Sequence, residues 1–267
     1  AFLCYKGVGT FTTYNHSIAE FLFSADWAPS DSAEGGGSVG AAIFIFGSVI
    51  TCALALAIAT PFSLATAIFM TEISPELGKR FVQPAVEIFV GIPSVVYGWI
   101  GLTILVPLIK NIFNLRFGFS VLAAGIVLAV MIFPTITSLA ADALRSIPKS
   151  YRAASYGLGA TRWQTIAKVV VPAAITGLMT AVILGLARAF GEALAVAMVI
   201  GKMRAFPTSL LSPTNNLTAA IAADMGGAME GSEYNIALWT MALMLFIISL
   251  ACIFAIHFLT AKGGKQA

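Results

Sequence analysis

The chain has 267 residues, of which 59% are hydrophobic and 10% are charged, and its formal net charge is +3. Charged residues make up about one quarter of an ordinary soluble domain, and the mean hydropathy here is +0.93. This composition excludes a soluble globular protein and predicts an integral membrane protein. The apolar runs are far longer than barrel strands, so the spans are predicted to be helices.

Apolar runs that are long enough to cross a bilayer alternate with polar segments along the chain. A short apolar stub at residues 1–5 comes first, and we expect it to be the end of a span whose beginning is missing from this sequence. A polar loop over residues 6–39 follows it. Five full runs come next, at residues 39–70, 81–109, 121–141, 172–201 and 236–259. The predicted fold is all-α, with about six transmembrane helices in a single domain over residues 1–267.

Proline residues are expected to distort the first two of these runs. Pro61 is expected to kink the inner third of the first full run. Gly91-Ile92-Pro93 interrupts the second run. Because proline lacks a backbone donor and restricts the residue before it, the helix is expected to break or bend there.

A polar, basic stretch over residues 142–172 separates two apolar runs, so it is expected to lie outside the membrane. Pro148 is expected to end the preceding helix, because proline cannot continue it. Ser150 is of the residue type that caps helices, which predicts a short helix running to about Leu158.

A second helix is predicted within the same stretch. Thr161 followed by Gln164 fits a capping box, which marks a helix start. Gly157 and Gly159 are expected to turn the chain between the two helices with positive φ. A solvated loop that follows the positive-inside rule would explain the basic residues, but it would not explain two capped helices.

The basic residues predict the orientation of the chain. Nine basic residues are predicted on the membrane face that carries residues 142–172, and five on the opposite face. The stretch and the C-terminus are therefore predicted to be cytoplasmic. The nine are Lys79, Arg80, Arg145, Lys149, Arg152, Arg162, Lys168, Lys262 and Lys265, and the five are Lys6, Lys110, Arg116, Lys202 and Arg204.

One apolar run contains two opposite charges. Arg188 and Glu192 are spaced i, i+4, so on one helix they could form an ion pair. Arg188 lies ~24 Å beyond Pro172 at 1.5 Å per residue, which is a depth inside the hydrocarbon. A structural ion pair is one interpretation, but ionisable groups inside a membrane typically mark a transport route. The arginine fork suits a tetrahedral oxyanion better than a lysine does.

Small residues recur at every fourth position of the same run, which predicts one smooth ridge for close helix packing. The ridge is expected to lie about 100° around the helix from the two charged residues. Its members are Gly177, Ala181, Gly185, Ala189, Ala193, Ala197 and Gly201.

Other chemistry is not expected from this sequence. No Gly-x-x-x-x-Gly-Lys-Ser/Thr motif occurs, so the chain is not predicted to hydrolyse ATP. Cys4, Cys52 and Cys252 fall in separate apolar runs and are interpreted as packing residues. His16 and His257 are isolated in sequence, so neither a metal site nor a bound cofactor is predicted.

The 142–172 stretch resembles the cytoplasmic coupling loop of ABC importer permeases. The family pattern is Glu-Ala-Ala, three residues, Gly, nine residues and Ile-x-Leu-Pro. Ala153-Ala154-Ser155 stands at the Glu-Ala-Ala, Gly159 at the glycine, and Val169-Val170-Val171-Pro172 at the end. The glutamate is replaced by Ala153 and one alanine by Ser155. The resemblance implies a type I importer permease bundle whose coupling helices dock on a separate ATPase subunit.

A second resemblance concerns the charged run. Gly185-Leu-Ala-Arg188-Ala-Phe-Gly191-Glu192 is similar to the Gly-x-x-Arg-Ala-x-Gly-Glu stretch of phosphate-importer permeases. The segments ending in Tyr97-Gly98 and in Thr135 are similar to that family's spans, and the match covers most of residues 39–260. The resemblance implies that Arg188 and Glu192 take part in phosphate passage. Tyr97 and Thr135 are further candidates for the substrate path.

The order of segments, with an outer loop before the first full span, is more similar to the PstC type of these permeases than to the PstA type. The resemblance then implies a PstA-like second permease subunit and a PstS-like phosphate-binding protein. It also implies two PstB-like ATPase subunits, which would bind ATP and Mg²⁺, in the cell membrane of a prokaryote.

Two alternatives stay open on the sequence alone. The substrate could be sulfate, molybdate or a small organic solute, although phosphate can donate a hydrogen bond to Glu192 and fully ionised sulfate cannot. The protein could also be a channel or secondary transporter that works without ATP. That class predicts inverted repeats, which the sequence does not show, and it leaves the 142–172 stretch without a role.

Overall fold

The computed structural model describes residues 2–263, which form helices and one short pair of strands. The first helices are α1 (Phe2–Thr12), α2 (Ile18–Phe23), α3 (Ala42–Ile68), α4 (Pro75–Leu77) and α5 (Gln83–Gly91). The next are α6 (Ser94–Ile100), α7 (Val106–Ile112), α8 (Val121–Arg145), α9 (Lys149–Gly157) and α10 (Arg162–Thr165). The last are α11 (Val171–Ala173), α12 (Ile175–Gly191), α13 (Leu194–Val199), α14 (Leu217–Asp224) and α15 (Glu233–Gly263).

Shorter elements complete the description. Strands β1 (Trp27–Ala28) and β2 (Ser38–Val39) pair antiparallel, with Trp27 opposite Val39. π-helical turns connect or extend several helices, and they cover Phe69–Ile73, Gly78–Val82, Gly101–Leu105 and Ile166–Val170.

The membrane spans largely follow the predicted apolar runs. Within the described chain, four helical segments are long and apolar enough to span a membrane: Ala42–Ile73, Ser94–Ile112, Val121–Arg145 and Glu233–Phe254. A fifth is added if Arg162–Ala173 and Ile175–Gly191, bent by 68° at their junction, form one span. The predicted break in the second run is confirmed, because α5 ends at Gly91 and α6 begins at Ser94.

Two sequence predictions about element boundaries are wrong. The loop predicted over residues 6–39 begins later, because α1 continues to Thr12. There Gly7 permits close packing on α15, since a Cβ at Gly7 would lie 2.6 Å from Leu243 Cβ. The run predicted over residues 172–201 is not one helix, because α12 ends at Gly191 and α13 begins at Leu194. The predicted cytoplasmic Lys265 lies outside the described residues.

The chain divides into two compact units by its internal contacts. The first unit comprises Ala1–Ala55, Pro93–Leu128 and Ala189–Leu250. Its buried core joins α2, β1 and β2 to α3, α14 and α15. The core residues are Phe21, Trp27, Val39, Ala41, Phe44, Leu217, Ala220, Ala237, Leu238 and Met241.

The second unit comprises Leu56–Ile92, Ala129–Arg188 and Ala251–Ala267. Within it α12 packs closely on α8. A Cβ at Gly177 would lie 2.6 Å from Ala143 Cβ, and one at Gly185 would lie 2.5 Å from Ile136 Cγ1. The small-residue ridge predicted from the sequence therefore forms along α12 but ends with that helix, because the chain leaves the helical path after Gly191.

A buried carboxylate holds the N-terminal segments of the first unit to the start of α15. Glu233 is 1% exposed, and its Oε2 accepts hydrogen bonds from the Ser30 amide at 2.7 Å and the Gly37 amide at 2.9 Å. Its Oε1 lies 2.7 Å from Nε2 of His16, whose Nδ1 lies 3.1 Å from Glu20 Oε2. Burial opposes protonation of His16, but the hydrogen bonds to Glu233 and Glu20 outweigh it and raise the pKa of His16.

We expect the attachment of the Ser30 and Gly37 backbone to Glu233 to weaken as the pH rises. A group whose pKa is raised by folding contributes stability below its unfolded pKa, about 6.5 for histidine, and loses it as the pH passes the folded pKa. Hydrogen exchange at the Ser30 and Gly37 amides, corrected for intrinsic rates, should therefore become less protected between pH 6 and pH 9. His16→Gln should make the protection low and independent of pH. A steep pH dependence in that variant would contradict the assignment.

Candidate functional site

The first helix of the predicted coupling loop begins two residues earlier than predicted. Pro148 occupies the N-cap position of α9 with φ −56° and ψ 141°, and no side chain caps the helix. The prediction that Ser150 caps it is wrong, because Pro148 starts the helix and Ser150 already lies inside its first turn. Pro148 thus separates α8 from α9, as expected from the proline rule.

The turn and the second helix mostly follow the prediction. Gly159 has φ +80°, a conformation that glycine adopts without strain. The prediction of positive φ at Gly157 is wrong, because that residue completes the last turn of α9. The predicted capping box is confirmed: the Thr161 hydroxyl accepts from the Gln164 amide at 3.3 Å, and the Thr161 amide donates to Gln164 Oε1 at 2.9 Å.

A buried hydroxyl pair joins the two helices. Ser155 Oγ lies 2.9 Å from Thr165 Oγ1, and both residues are buried. Of the other predicted coupling residues, Ala153, Ala154, Gly159 and Pro172 are exposed. Ser155, which stands where the family pattern has alanine, therefore holds the loop together and leaves those residues at the surface.

Helices α9 and α10 are attached to the end of the first full span mainly through Glu72. Arg152 on α9 donates to both carboxylate oxygens of Glu72, from Nε at 3.1 Å and from Nη2 at 2.5 Å. Arg162 donates to the main-chain oxygen of Glu72 and, at 2.7 Å, to that of Ile73. Sequence analysis did not single out Glu72. The short turn over residues 71–80 holds two acids, Glu72 and Glu76, and two basic residues, Lys79 and Arg80, so no local signal distinguishes Glu72.

Large apolar side chains cover the outside of the coupling helices. Leu158 is 90% exposed and Trp163 is 67% exposed, and Tyr151 and Tyr156 are about half exposed. Ser150, Ala154, Ala160 and Val169 line an open, mainly apolar cleft beside them. Exposed contiguous apolar surface outside the membrane is typical of a protein interaction site.

On the predicted substrate path, the structure brings Arg188 and Thr135 together. Arg188 Nη1 donates to Thr135 Oγ1 at 2.7 Å, and both residues are partly buried in the second unit. Thr135 lies on α8 directly after Pro134. The arginine of α12 and the threonine of α8 thus present a cationic, hydrogen-bonding group in a membrane-spanning part of the chain.

Glu192 lies in the break between α12 and α13, in the first unit. Its Oε1 accepts from the Ala195 amide at 3.1 Å, and its main-chain oxygen accepts from the Thr218 hydroxyl at 2.8 Å. The i, i+4 helical spacing predicted for Glu192 and Arg188 is therefore interrupted, because α12 ends at Gly191. Thr218, which the sequence analysis did not single out, supplies the donor that this end of the helix needs.

Tyr97 is 8% exposed and lies on α6, which packs closely on α13. A Cβ at the adjacent Gly98 would lie 2.8 Å from the Cα of Ala195, whose amide binds Glu192. The structure therefore places Tyr97 and Glu192 on neighbouring segments of the first unit. A role for either residue in transport stays a prediction.

The long apolar helices define an integral membrane protein. The sequence matches the family described as binding-protein-dependent transport system inner membrane component over residues 59–262, and the chain belongs to this family. It is also similar to the "Inward facing conformations of the MetNI methionine ABC transporter", with a TM-score of 0.64 and 21% identity over 83% of this chain and 96% of that chain. This likeness supports the type I importer fold.

Curated relatives cover nearly all of the chain. It is 52% identical to the probable ABC transporter permease protein YqgH of Bacillus subtilis, over 98% of this chain and 84% of that protein. It is 36% identical to the phosphate transport system permease protein PstC of Haemophilus influenzae, over 91% of this chain and 81% of that protein. The PstC protein of Pasteurella multocida is 38% identical over 90% of this chain and 78% of its own length.

The turn of the coupling loop gives a direct test of the geometry. Gly159→Ala forces a side chain into a left-handed conformation, which costs about 1–2 kcal/mol. The free energy of local opening of α9 and α10, measured by hydrogen exchange, should fall by about that amount. Gly157→Ala is the matched control, because Gly157 is helical and open space surrounds its Cα. Equal effects of the two substitutions would contradict the assigned turn.

Proposed function

We propose that this chain is the membrane permease subunit of an ATP-driven importer that passes inorganic phosphate from a binding protein to the cytoplasm. The observation that carries the proposal is the Arg188 guanidinium, hydrogen-bonded to Thr135 at 2.7 Å in a membrane-spanning part of a chain related to PstC proteins. A planar guanidinium matches the oxygens of a phosphate bidentately.

In the proposed mechanism, Thr135 orients the guanidinium of Arg188 while the anion is absent. Nη1 is occupied by the threonine, and the remaining donors of the fork are those that would meet a phosphate oxygen. Glu192 would act as the acceptor for a phosphate proton as the anion passes. This last property favours phosphate over fully ionised sulfate, which has no proton to donate.

The partners follow from the proposed class. The coupling helices α9 and α10 would face the cytoplasm and dock on an ATPase subunit, and ATP and Mg²⁺ would be bound there and not by this chain. A second, PstA-like permease subunit, two PstB-like ATPase subunits and a PstS-like binding protein would complete the importer. The exposed apolar side chains of the loop support the docking role.

The substrate assignment is tested by removing the positive charge from Arg188. Truncating one member of a partly buried charged contact costs ~2–5 kcal/mol. Arg188→Gln should therefore lower phosphate uptake by the reconstituted importer more than tenfold, while the complex still assembles. Glu192→Gln should also lower uptake without loss of assembly. Arg116→Gln makes the same substitution at an exposed arginine and should leave uptake unchanged.

A purely structural role for the two charged residues predicts a different pattern. In that case the single variants assemble poorly, and Arg188→Met combined with Glu192→Met restores function because both charges are removed together. Recovery of phosphate uptake in the double variant would disprove the proposed role. Uptake of radiolabelled sulfate or molybdate in place of phosphate by the wild-type complex would assign the chain to the alternative substrate class.

Docking of the ATPase subunit depends on the exposed Leu158 side chain. Burying a leucine fully is worth about 1.5–3 kcal/mol, and a factor of ten in affinity is about 1.4 kcal/mol. Leu158→Asp should therefore lower co-purification of the ATPase subunit at least tenfold, whereas Leu158→Met should retain it. Unchanged association in the aspartate variant would show that the ATPase subunit binds elsewhere.

A further inference from the structure

We propose that Glu72 and Arg152 are the positioning residues that transmit movement of the coupling helices to the first full span. This inference rests on the proposed function, because it assigns a role in ATP-driven transport. It concerns residues that neither the coupling-loop pattern nor the substrate path includes. All of the contacts that support it lie within the second unit.

The Glu72 carboxylate is nearly buried, and both of its oxygens accept hydrogen bonds. Its side chain is 8% exposed, and both oxygens accept hydrogen bonds from Arg152, whose side chain is 20% exposed. A bidentate arrangement of this kind fixes direction as well as distance, because the planar fork meets both carboxylate oxygens. The hydrogen bonds to Glu72 also raise the pKa of Arg152, so the guanidinium stays charged.

The same guanidinium holds the end of a second span. Arg152 Nη1 donates to the Ile147 carbonyl at 2.8 Å, and Nη2 donates to the Leu144 carbonyl at 3.0 Å. Leu144 lies in the last turn of α8, where main-chain oxygens have no partner inside the helix. One arginine of α9 therefore binds the ends of two spans at once.

A second arginine, on α10, binds the same end of the Ala42–Ile73 span. Arg162, the first residue of α10, donates to the main-chain oxygens of Glu72 and Ile73. Ile73 is the last residue of the Ala42–Ile73 span. The buried pair Ser155 and Thr165 joins α9 to α10. The two joined helices therefore hold the end of the span through two separate arginines.

This geometry points to force transmission and not only to local stability. A surface ion pair is worth about 0–1 kcal/mol and can be lost without consequence. The Glu72 site differs, because its contacts are multiple and directional and those of Arg152 are partly buried, so a displacement of α9 and α10 displaces the span end with them. Without Glu72, the coupling helices could still dock on the ATPase subunit but would move independently of the Ala42–Ile73 span.

The test measures phosphate transported per ATP hydrolysed by the reconstituted complex, normalised to the amount of assembled complex. Glu72→Gln should lower this ratio at least fivefold while association of the ATPase subunit stays within twofold of wild type. Arg152→Lys should do the same, because an ammonium cannot bridge both carboxylate oxygens and two carbonyls. Glu76→Gln is the matched control, since it removes an exposed carboxylate from the same short segment and should leave the ratio unchanged.

Two outcomes would overturn the inference. An unchanged ratio in Glu72→Gln would show that the contact transmits nothing. Equal loss of uptake and of ATPase association would show that the contact only stabilises the loop. Wild-type vesicles that transport no phosphate would instead refute the proposed substrate, and the ratio would then be measured with the anion that is transported.

If the complex with Glu72→Gln does not assemble, a covalent bridge in place of the Glu72–Arg152 contact provides a second test. Glu72→Cys with Arg152→Cys, in a chain whose Cys4, Cys52 and Cys252 are replaced, is bridged by a short bifunctional thiol reagent with a reducible link. Transport per ATP should be high in the bridged complex and should fall at least fivefold after reduction. A ratio that does not change on reduction would refute the role of this contact.

Discussion

The need to satisfy every backbone group inside the membrane governs this structure, because an unpaired group in hydrocarbon costs several kcal/mol. A span can therefore be interrupted only where side chains replace the missing helical partners. At the end of α12 that replacement is visible: the Thr218 hydroxyl binds the Glu192 carbonyl, and the Glu192 carboxylate binds the Ala195 amide. The acid that looked from the sequence like half of a helical ion pair also maintains the break in the helix. A substrate that needs this carboxylate would act on the same break.

Arginine supplies the other strong contacts, and each guanidinium meets oxygens that are fixed by a helix end or a helix face. Arg188 meets the Thr135 hydroxyl on α8, and Arg152 meets Glu72 together with the Leu144 carbonyl. The fork geometry allows one side chain to bind several acceptors without leaving any of them unpaired. The two sites differ in what remains open. Four of the five donors of the Arg152 guanidinium bind protein oxygens, which suits a contact that holds helix ends in place. Arg188 has a single described side-chain partner, which suits an anion site.

Local signals in the sequence were sufficient for the spans and for much of the coupling loop. Hydrophobic runs located the membrane helices, the Gly91-Ile92-Pro93 break followed from proline chemistry, and the Thr161 capping box was present in the sequence. The errors have different causes. Pro148 starts α9 ahead of Ser150, and Gly157 completes the last turn of that helix, whereas the break after α12 involves the distant partner Thr218. The contact between Glu72 and Arg152 joins residues 80 positions apart, so no pattern along the chain could indicate it.

The coupling loop combines an internally fixed framework with an apolar exterior, and the two properties depend on each other. A leucine that is 90% exposed contributes almost no burial to the fold, so other contacts must hold the backbone of this loop. The capping box, the Ser155–Thr165 pair and the two arginines that bind Glu72 supply those contacts, and all of them are polar. A partner that buries the apolar side chains would therefore add its binding energy without having to order the loop first. Because the loop is already ordered, its displacement would reach the Ala42–Ile73 span at Glu72 and would not be absorbed by rearrangement of α9 and α10.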